Sequence, residues 1–320
     1  MKTRAENKLS ISSIYRKYGI ILILVILFVI SAIINKNFLK PQNLMNVLRQ
    51  ISVVTIIACA ETMLIVSGMI DLSAGFVCAM SACFSAGVLA KTGSVPLAVV
   101  TGVGMGMLAG WSNGFLITHF KLQPFIATLA MANIAQGIVQ LYTNGQAING
   151  VEKLRWLGQG YIGFVPVPVI VMLILVGVIA YLMKYSTLGL HIYSIGGNEK
   201  ASIASGINVN RSKRIIFTIS GALVGLSSVV LVGRLMSGQP NVGSGYEFDA
   251  ITAVIVGGTS FTGGIGTVTG ALIGSIIVGL ISNILNLLGV STQYQLIVKG
   301  LLIATAVIID IKTKNDKKSA

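Results

Sequence analysis

Between Ala250 and Val298 the chain reads AITAVIVGGTSFTGGIGTVTGALIGSIIVGLISNILNLLGVSTQYQLIV, 49 residues without a single Asp, Glu, Lys or Arg. A helix needs about 20 residues to cross the roughly 30 Å hydrocarbon core of a bilayer. The stretch is therefore too long for one crossing, and Gly257, Gly258, Gly263, Gly264 and Gly266 break it. Two crossings are expected in its earlier part, with a further one over residues 292–310.

The rest of the chain repeats this pattern. Residues 20–34 form a short apolar run behind a basic stretch, and no small-x-small site follows, which favours a retained anchor over a cleaved leader. Residues 50–67 and 72–90 are two more runs, parted by 68–71. Residues 92–120 and 122–151 carry no formal charge and each hold one span plus a loop; 164–183 and 215–233 follow. The expected fold class is all-α and polytopic, with about ten transmembrane helices, some of them broken. A basic N-terminus (1–18) precedes a transmembrane domain (19–310) with a polar segment at 184–214, and a basic tail (311–320) ends the chain.

Composition agrees. The 320 residues are 54% hydrophobic and 10% charged, whereas a soluble globule keeps about a quarter of its residues charged. A soluble enzyme, a disordered chain and a secreted disulfide scaffold are set aside. The net charge is +14, and fifteen of the 23 basic residues fall in four places: residues 2–17, Lys121, 184–214 and the tail after Asp310. With ten spans, all four lie on one side, as the positive-inside rule requires of the cytoplasm. Both termini are thus expected inside a bacterial plasma membrane. No basic element is interleaved with aromatics, so nucleic acid is not an expected partner. Cys59, Cys78 and Cys83 sit in apolar runs and read as packing residues.

No nucleotide-binding loop of the type G-x-x-x-x-G-K-[ST] occurs, and the dipeptide Gly-Lys is absent altogether, so any ATP must be hydrolysed by a partner. The alternative is an ion-coupled secondary transporter of a small polar solute, which usually needs carboxylates in the membrane. The acidic candidates are Glu61, Asp71, Glu247 and Asp249. Asp71 precedes a helix start and suits an N-cap, and Glu247 and Asp249 fit the same reading. Glu61 alone lies well inside an apolar run, where a charge costs about 2.5–3.5 kcal/mol on insertion scales. His119 and His191 stand far apart, and no catalytic set or metal-ligand spacing accompanies them, so neither an enzyme nor a metal site is expected.

Glycines recur in the apolar runs at Gly102, Gly104, Gly106 and Gly110, and again at Gly270, Gly274 and Gly279, a pattern that suits close helix packing. A faint echo links Ile70 to Gly75 with Glu247 to Ala250, each followed by Gly-spaced apolar residues and then Asn113 or Asn283, as a two-half pseudo-repeat would give. In the polar segment 184–214, Ile203 and Ile207 are spaced i, i+4 with Ala201 and Ala204 nearby. A short helix with one apolar face follows, either fastening the segment to the membrane surface or docking into a partner's groove.

The stretch GLHIYSIGGNEKASIASGINVN (189–210) strongly resembles the cytoplasmic loop of the membrane permeases of sugar ABC importers, in the branch of the ribose and autoinducer-2 permeases. Other pieces agree in order: SGMIDLSAG (67–75), PFIATL (124–129), YTNG (142–145), QPNVGSGYEFDAI (239–251), VGGTS (256–260), GGIG (263–266) and NLLGV (286–290). Together they cover about residues 40–310. The resemblance implies a permease paired with a second permease copy, two cytoplasmic ABC ATPase subunits that use ATP and Mg, and an extracytoplasmic sugar-binding protein; this chain itself would hold no cofactor. It further implies that Gly196, Gly197, Asn198, Glu199, Lys200, Ala201, Ser205, Gly206 and Ile207 form the ATPase-coupling helix. Within it, KASIASG (200–206) is similar to the family's E-A-A-x-x-x-G pattern, with Lys200 at the Glu position, Ser202 at the second Ala, and Glu199 one residue earlier. IAQG (134–137) departs from the I-A-R-G common in related permeases at Gln136, and the 150–163 loop looks shorter. Asn113, Asn133, Gln136 and Asn144 are the candidates for a sparsely polar substrate pathway, with helix–helix hydrogen bonding as their other use.

Overall fold

The computed structural model describes residues 11–318; residues 1–10 of the expected basic N-terminus and 319–320 of the expected tail lie outside the described residues. In chain order the helices are α1 (Ile11–Ile34), α2 (Pro41–Val66), α3 (Ala74–Thr92), α4 (Val95–His119), α5 (Pro124–Thr143), α6 (Arg155–Gln159), α7 (Val167–Tyr185), α8 (Thr187–Gly197), α9 (Glu199–Ala204), α10 (Val209–Leu235), α11 (Tyr246–Val256), α12 (Val268–Leu287) and α13 (Thr292–Lys318). A 3₁₀ turn, Glu152–Leu154, leads into α6, and a two-residue hairpin, β1 (Tyr161–Ile162) with β2 (Val165–Pro166), leads into α7. Proline opens α2, α4, α5 and α7 within their first two positions, where the missing amide costs no hydrogen bond.

Seven helices (α2, α3, α4, α5, α7, α10 and α12) are long and apolar enough to cross a membrane, and the apolar stretches Gly19–Ile34 and Thr292–Ile308 are shorter. The chain is an all-α polytopic membrane protein. With α11 these make ten helices in the places expected of ten spans, and α11 is the broken one. Its 11 residues reach only about 16 Å, half the hydrocarbon thickness. Elsewhere helices run past the apolar cores that announced them. α2 starts at Pro41 and carries Arg49 in its outer turns, while α10 starts at Val209 and lifts Arg211, Lys213 and Arg214 onto the helix. The expected polar loop 184–214 is therefore mostly helical.

α2 is the central column, buried from Ile51 to Val66 without a gap. α10, α12, α11 and α7 pack around it, and α10 lies against α4 along a seam of glycines four residues apart. A methyl added at Gly106 or Gly110 of α4 would strike the backbone of α10 at Gly221 and Phe217, and one at Gly114 would strike Arg214. Small residues let these two backbones approach to near contact, which is where dispersion between helices in lipid comes from. Gly104, by contrast, faces open space. Gly270 and Gly274 bring α12 equally close to the α11 backbone at Gly257 and Ala253, and Gly279 seats Ile51 of α2.

Between α10 and α11 the chain is not helical. Gly238 packs on α3 at Ala82, Cys83 and Ala86, and Gly243 packs farther along the same helix at Gly75 and Ala79. Residues 236–245 thus run back along α3, antiparallel to it, and α11 starts inside the protein rather than at its surface. Gly238 and Ile148 exchange two backbone hydrogen bonds of 2.9 and 2.8 Å, which satisfies part of this segment. Irregular backbone at membrane depth survives only inside protein or along a water-filled cavity.

The seam makes a paired prediction. Gly106→Val is expected to destabilise the protein by about 3 kcal/mol through overpacking against α10, whereas Gly104→Val leaves the thermal unfolding midpoint in detergent unchanged; equal midpoints for the two variants would contradict the seam.

Candidate functional site

The expected coupling stretch folds as helix, cap, helix, cap, helix. Ser186 opens α8 by accepting the amide of Gly189 at 3.0 Å. Asn198 opens α9 with its Oδ1 on the amide of Ala201 at 3.0 Å, and Asn208 opens α10 with its Oδ1 on the amide of Arg211 at 3.0 Å. Gly206 closes α9 in the left-handed region at φ +84°, its amide donating to Ile203 at 3.0 Å and the next amide, Ile207, to Ser202 at 3.1 Å. Each turn is thus fixed by a residue whose short polar side chain or missing Cβ suits it. Glu199 reaches the Lys213 Nζ on α10 at 2.8 Å, so α9 is braced against the following helix.

Outward, α9 is bare. Ala201, Ile203 and Ala204 are exposed, as are Lys200, Ser205 and Gly206, and Ile203 has 57% of its surface uncovered. The i, i+4 pair expected of Ile203 and Ile207 does not form one helix face, because α9 ends at Ala204 and Ile207 is half-buried beyond the turn.

Inward, the α8–α9 junction touches two loops at once. A methyl on Gly196 would collide with the carbonyl of Val66 at the end of α2 and with the amide of Gly264 in the loop after α11. That amide itself donates to the Val66 carbonyl at 2.8 Å, and Tyr193 on α8 donates its hydroxyl to the Gly266 carbonyl at 2.8 Å. The two loops are built alike. Two residues after Val66 and two after Val256 stands a left-handed glycine, Gly68 at φ +77° and Gly258 at φ +88°. Gly68 donates to Ile65 and Met69 to Leu64, both at 2.9 Å; Gly258 donates to Ile255 at 2.9 Å and Thr259 to Val254 at 3.1 Å. The same cap therefore ends the central column and the half-helix, and Gly196 packs between Val66 at the first cap and Gly264 in the loop beyond the second.

The acidic residues lie deeper. Asp71 Oδ1 accepts the amide and the hydroxyl of Ser73, at 2.8 and 2.5 Å, and shapes the turn into α3; Asn113 of α4 donates to the same hydroxyl at 3.0 Å. Glu247 and Asp249 sit in the first turn of α11, where its positive end favours them. Glu247 Oε1 accepts the Gly245 amide at 3.3 Å, while Asp249 forms a 2.8 Å ion pair with Lys299 that ties the half-helix to α13. Glu61, fully buried in α2, has no hydrogen-bond partner for either oxygen among the described residues.

The pathway candidates do not gather in one place. Asn113 is buried beside Ser73, whereas Asn133 and Gln136 lie on α5 and Asn144 caps it at φ +49°. Along α5, Asn133, Gln136, Gln140 and Asn144 fall on one arc of about 80° at 100° per residue, exposed or half-buried. Gln140 donates to Asn241 of the non-helical segment at 2.8 Å, and Gln239, Asn241 and Ser244 are exposed beside it. Gln140 was legible in the same heptad-like spacing that places Gln136, but Tyr193 and Asn241 carry no local signal; their roles come from what the fold sets against them.

A family model described as branched-chain amino acid transport system / permease component matches residues 43–307. The chain is 42% identical to the ribose import permease protein of Bacillus subtilis over 310 residues, 96% of each chain. It is 40% identical to the ribose import permease protein of Escherichia coli over 294 residues, 90% of this chain and 92% of that one. It is also 33% identical to the L-arabinose transport system permease protein of Escherichia coli, over 98% of this chain and 96% of that one. No solved structure matches.

Neighbouring glycines at the α8–α9 junction should respond in opposite ways. Gly197 has nothing within 4 Å of a Cβ, so Gly197→Ala is expected to be silent. Gly196→Ala must push α8 off Val66 and Gly264, at a cost of about 2 kcal/mol in stability; protease protection of the α8–α9 segment, lost in the one and kept in the other, is the measurement.

Proposed function

The chain belongs to the family of permease components of branched-chain amino acid transport systems, and on that premise we propose that it is the transmembrane permease subunit of an ATP-driven importer for a small sugar, ribose or a similar monosaccharide. It is a transport component and not an enzyme. Its place is the bacterial plasma membrane, and we place both termini and the α8–α9 face in the cytoplasm, in line with the basic residues there. ATP and Mg belong to two cytoplasmic ABC ATPase subunits. A sugar-binding protein delivers substrate on the opposite face, where the 150–163 loop lies, and a second copy of the permease completes the path.

The observation that carries this reading is the α8–α9 wedge. Residues 196–207 present an exposed apolar edge to the cytoplasm and a close-packed glycine to the end of α2 and to the loop that follows α11. A motor that moves α9 thereby moves the loop after the half-helix, and with it the protein's one broken span. The names of the relatives, ribose and L-arabinose permeases, support the substrate class. The polar arc of α5 with Asn241, too costly to face lipid, supports a pathway along that surface, lined by Asn133, Gln136 and Asn144; Asn113 belongs to the helix contacts that frame it. The ion-coupled alternative is not favoured: Asp71 is used in a turn, Asp249 in an ion pair and Glu247, through one oxygen, at a helix start, which leaves only Glu61 among them without a partner for either oxygen among the described residues.

Two measurements on reconstituted vesicles test the reading. Gly206→Val, forced to hold a branched side chain at positive φ, is expected to insert normally yet lower the stimulation of ATP hydrolysis by sugar-loaded binding protein about tenfold; Tyr193→Phe should lower it about fivefold, the worth of one hydrogen bond. The permease without its ATPase should accumulate no sugar under an imposed pH or Na⁺ gradient, and uphill transport by the chain alone would falsify the proposal.

A further inference from the structure

We propose that the cleft between α4 and the first turns of α10 binds the headgroup of an anionic glycerophospholipid. The cleft has a volume of about 480 Å³ and is lined by Trp111, Asn208, Arg211, Arg214, Ile215 and Ile219, among others. The inference goes beyond the transport reading and needs only that the helices span a membrane.

The glycine seam fixes the depth of each group. Gly114 of α4 packs at Arg214 of α10, and Gly110 packs one turn farther in, at Phe217 and Gly221. Arg214 is thus level with the end of α4, with Arg211 on its outer side and Trp111 about one turn deeper. Trp111 is exposed and stacks on Phe115 at 5.5 Å, and Phe115 stacks on His119 at 5.0 Å, which makes a column of rings down to the helix end. Tryptophan concentrates at the headgroup level of bilayers, and this column marks that level on α4.

Charge then selects the ligand. Of the three cations in the first turns of α10, Lys213 is neutralised by Glu199. Arg214 donates its Nε to Thr118 Oγ1 at 2.7 Å, which holds the guanidinium in place, and its terminal nitrogens make no hydrogen bond among the described residues. Arg211 is exposed, and its side chain makes none either. The first turn of α10 has no acidic residue, and its positive end adds to the field. Two oriented guanidinium groups suit the oxygens of a phosphodiester. A soluble anion would leave the deeper wall of Trp111, Ile215 and Ile219 uncovered, whereas a phospholipid lays an acyl chain along it.

Trp111 and Trp156 are the two tryptophans of the chain, so in a Trp156→Phe background the emission reports Trp111. The full-length protein is reconstituted in phosphatidylcholine vesicles that contain either brominated phosphatidylglycerol or brominated phosphatidylcholine. With two basic side chains at the headgroup, brominated phosphatidylglycerol is expected to reach half-quenching at a mole fraction at least about fivefold lower. Arg211→Gln with Arg214→Gln should abolish that difference. Arg211→Gln alone, which breaks no bond in the fold, should reduce it. In the parent protein the preference should weaken as salt rises. Equal quenching by the two lipids, a preference untouched by both variants or by salt, or its loss on adding excess inorganic phosphate would each overturn the proposal, the last because it would make the ligand a free anion.

Discussion

A peptide group at membrane depth has no water to bond, so every amide and carbonyl there must find its partner within the protein. Among the described residues, nine of the ten apolar segments meet this demand with continuous helix. The tenth does not: residues 236–245 descend beside α3 in irregular form, and only then does α11 begin. The arrangement depends on shelter. Gly238 and Gly243 let the segment lie directly on α3, Ile148 supplies two backbone hydrogen bonds, and the ion pair of Asp249 with Lys299 holds the half-helix to α13. The side turned away from α3 carries Gln239, Asn241 and Ser244, polar groups that suit a wet surface.

The same economy of side chain joins the membrane interior to the α8–α9 face. Glycine seams bring α4 to α10 and α12 to α11 at backbone contact, and the Gly196 contact does the same between α8, the end of α2 and the loop after α11. Backbones that touch without intervening side chains transmit displacement with little slack. A long flexible residue at any of these places would absorb it.

Much of this architecture was legible in the order of residues. Uncharged runs marked the helices, and glycine spacing foretold the packing, although Gly104 turned out to face away from the seam that Gly102, Gly106 and Gly110 share. The broken span was less clear: the glycines from 257 to 266 announced an interruption, but apolar content in 250–267 could not show that the helix stops at Val256, because irregular backbone buried in protein is as apolar as helix. A short helix in the 196–207 segment was readable from its residue spacing, whereas the Asn198 and Asn208 caps that frame it emerge from the structure. The partners of Tyr193 and Asn241 were not, since Gly266 and Gln140 lie 73 and 101 positions away and only tertiary packing joins them. For the same reason the four amides proposed for a path separated into three on α5 and one, Asn113, held by Ser73.

The matched caps after Val66 and Val256 have a mechanical consequence. Gly196 bears on the end of α2 and on the loop that follows α11, and the two helices differ in compliance. α2 is 26 residues long and gripped along its buried length, whereas α11 has 11 residues and an irregular segment as its only continuation. On the proposed reading, load applied through α9 would divide according to stiffness, with the long column as the fulcrum and the short one yielding. Unequal resistance, rather than any asymmetry in the joint itself, would then set the direction of travel.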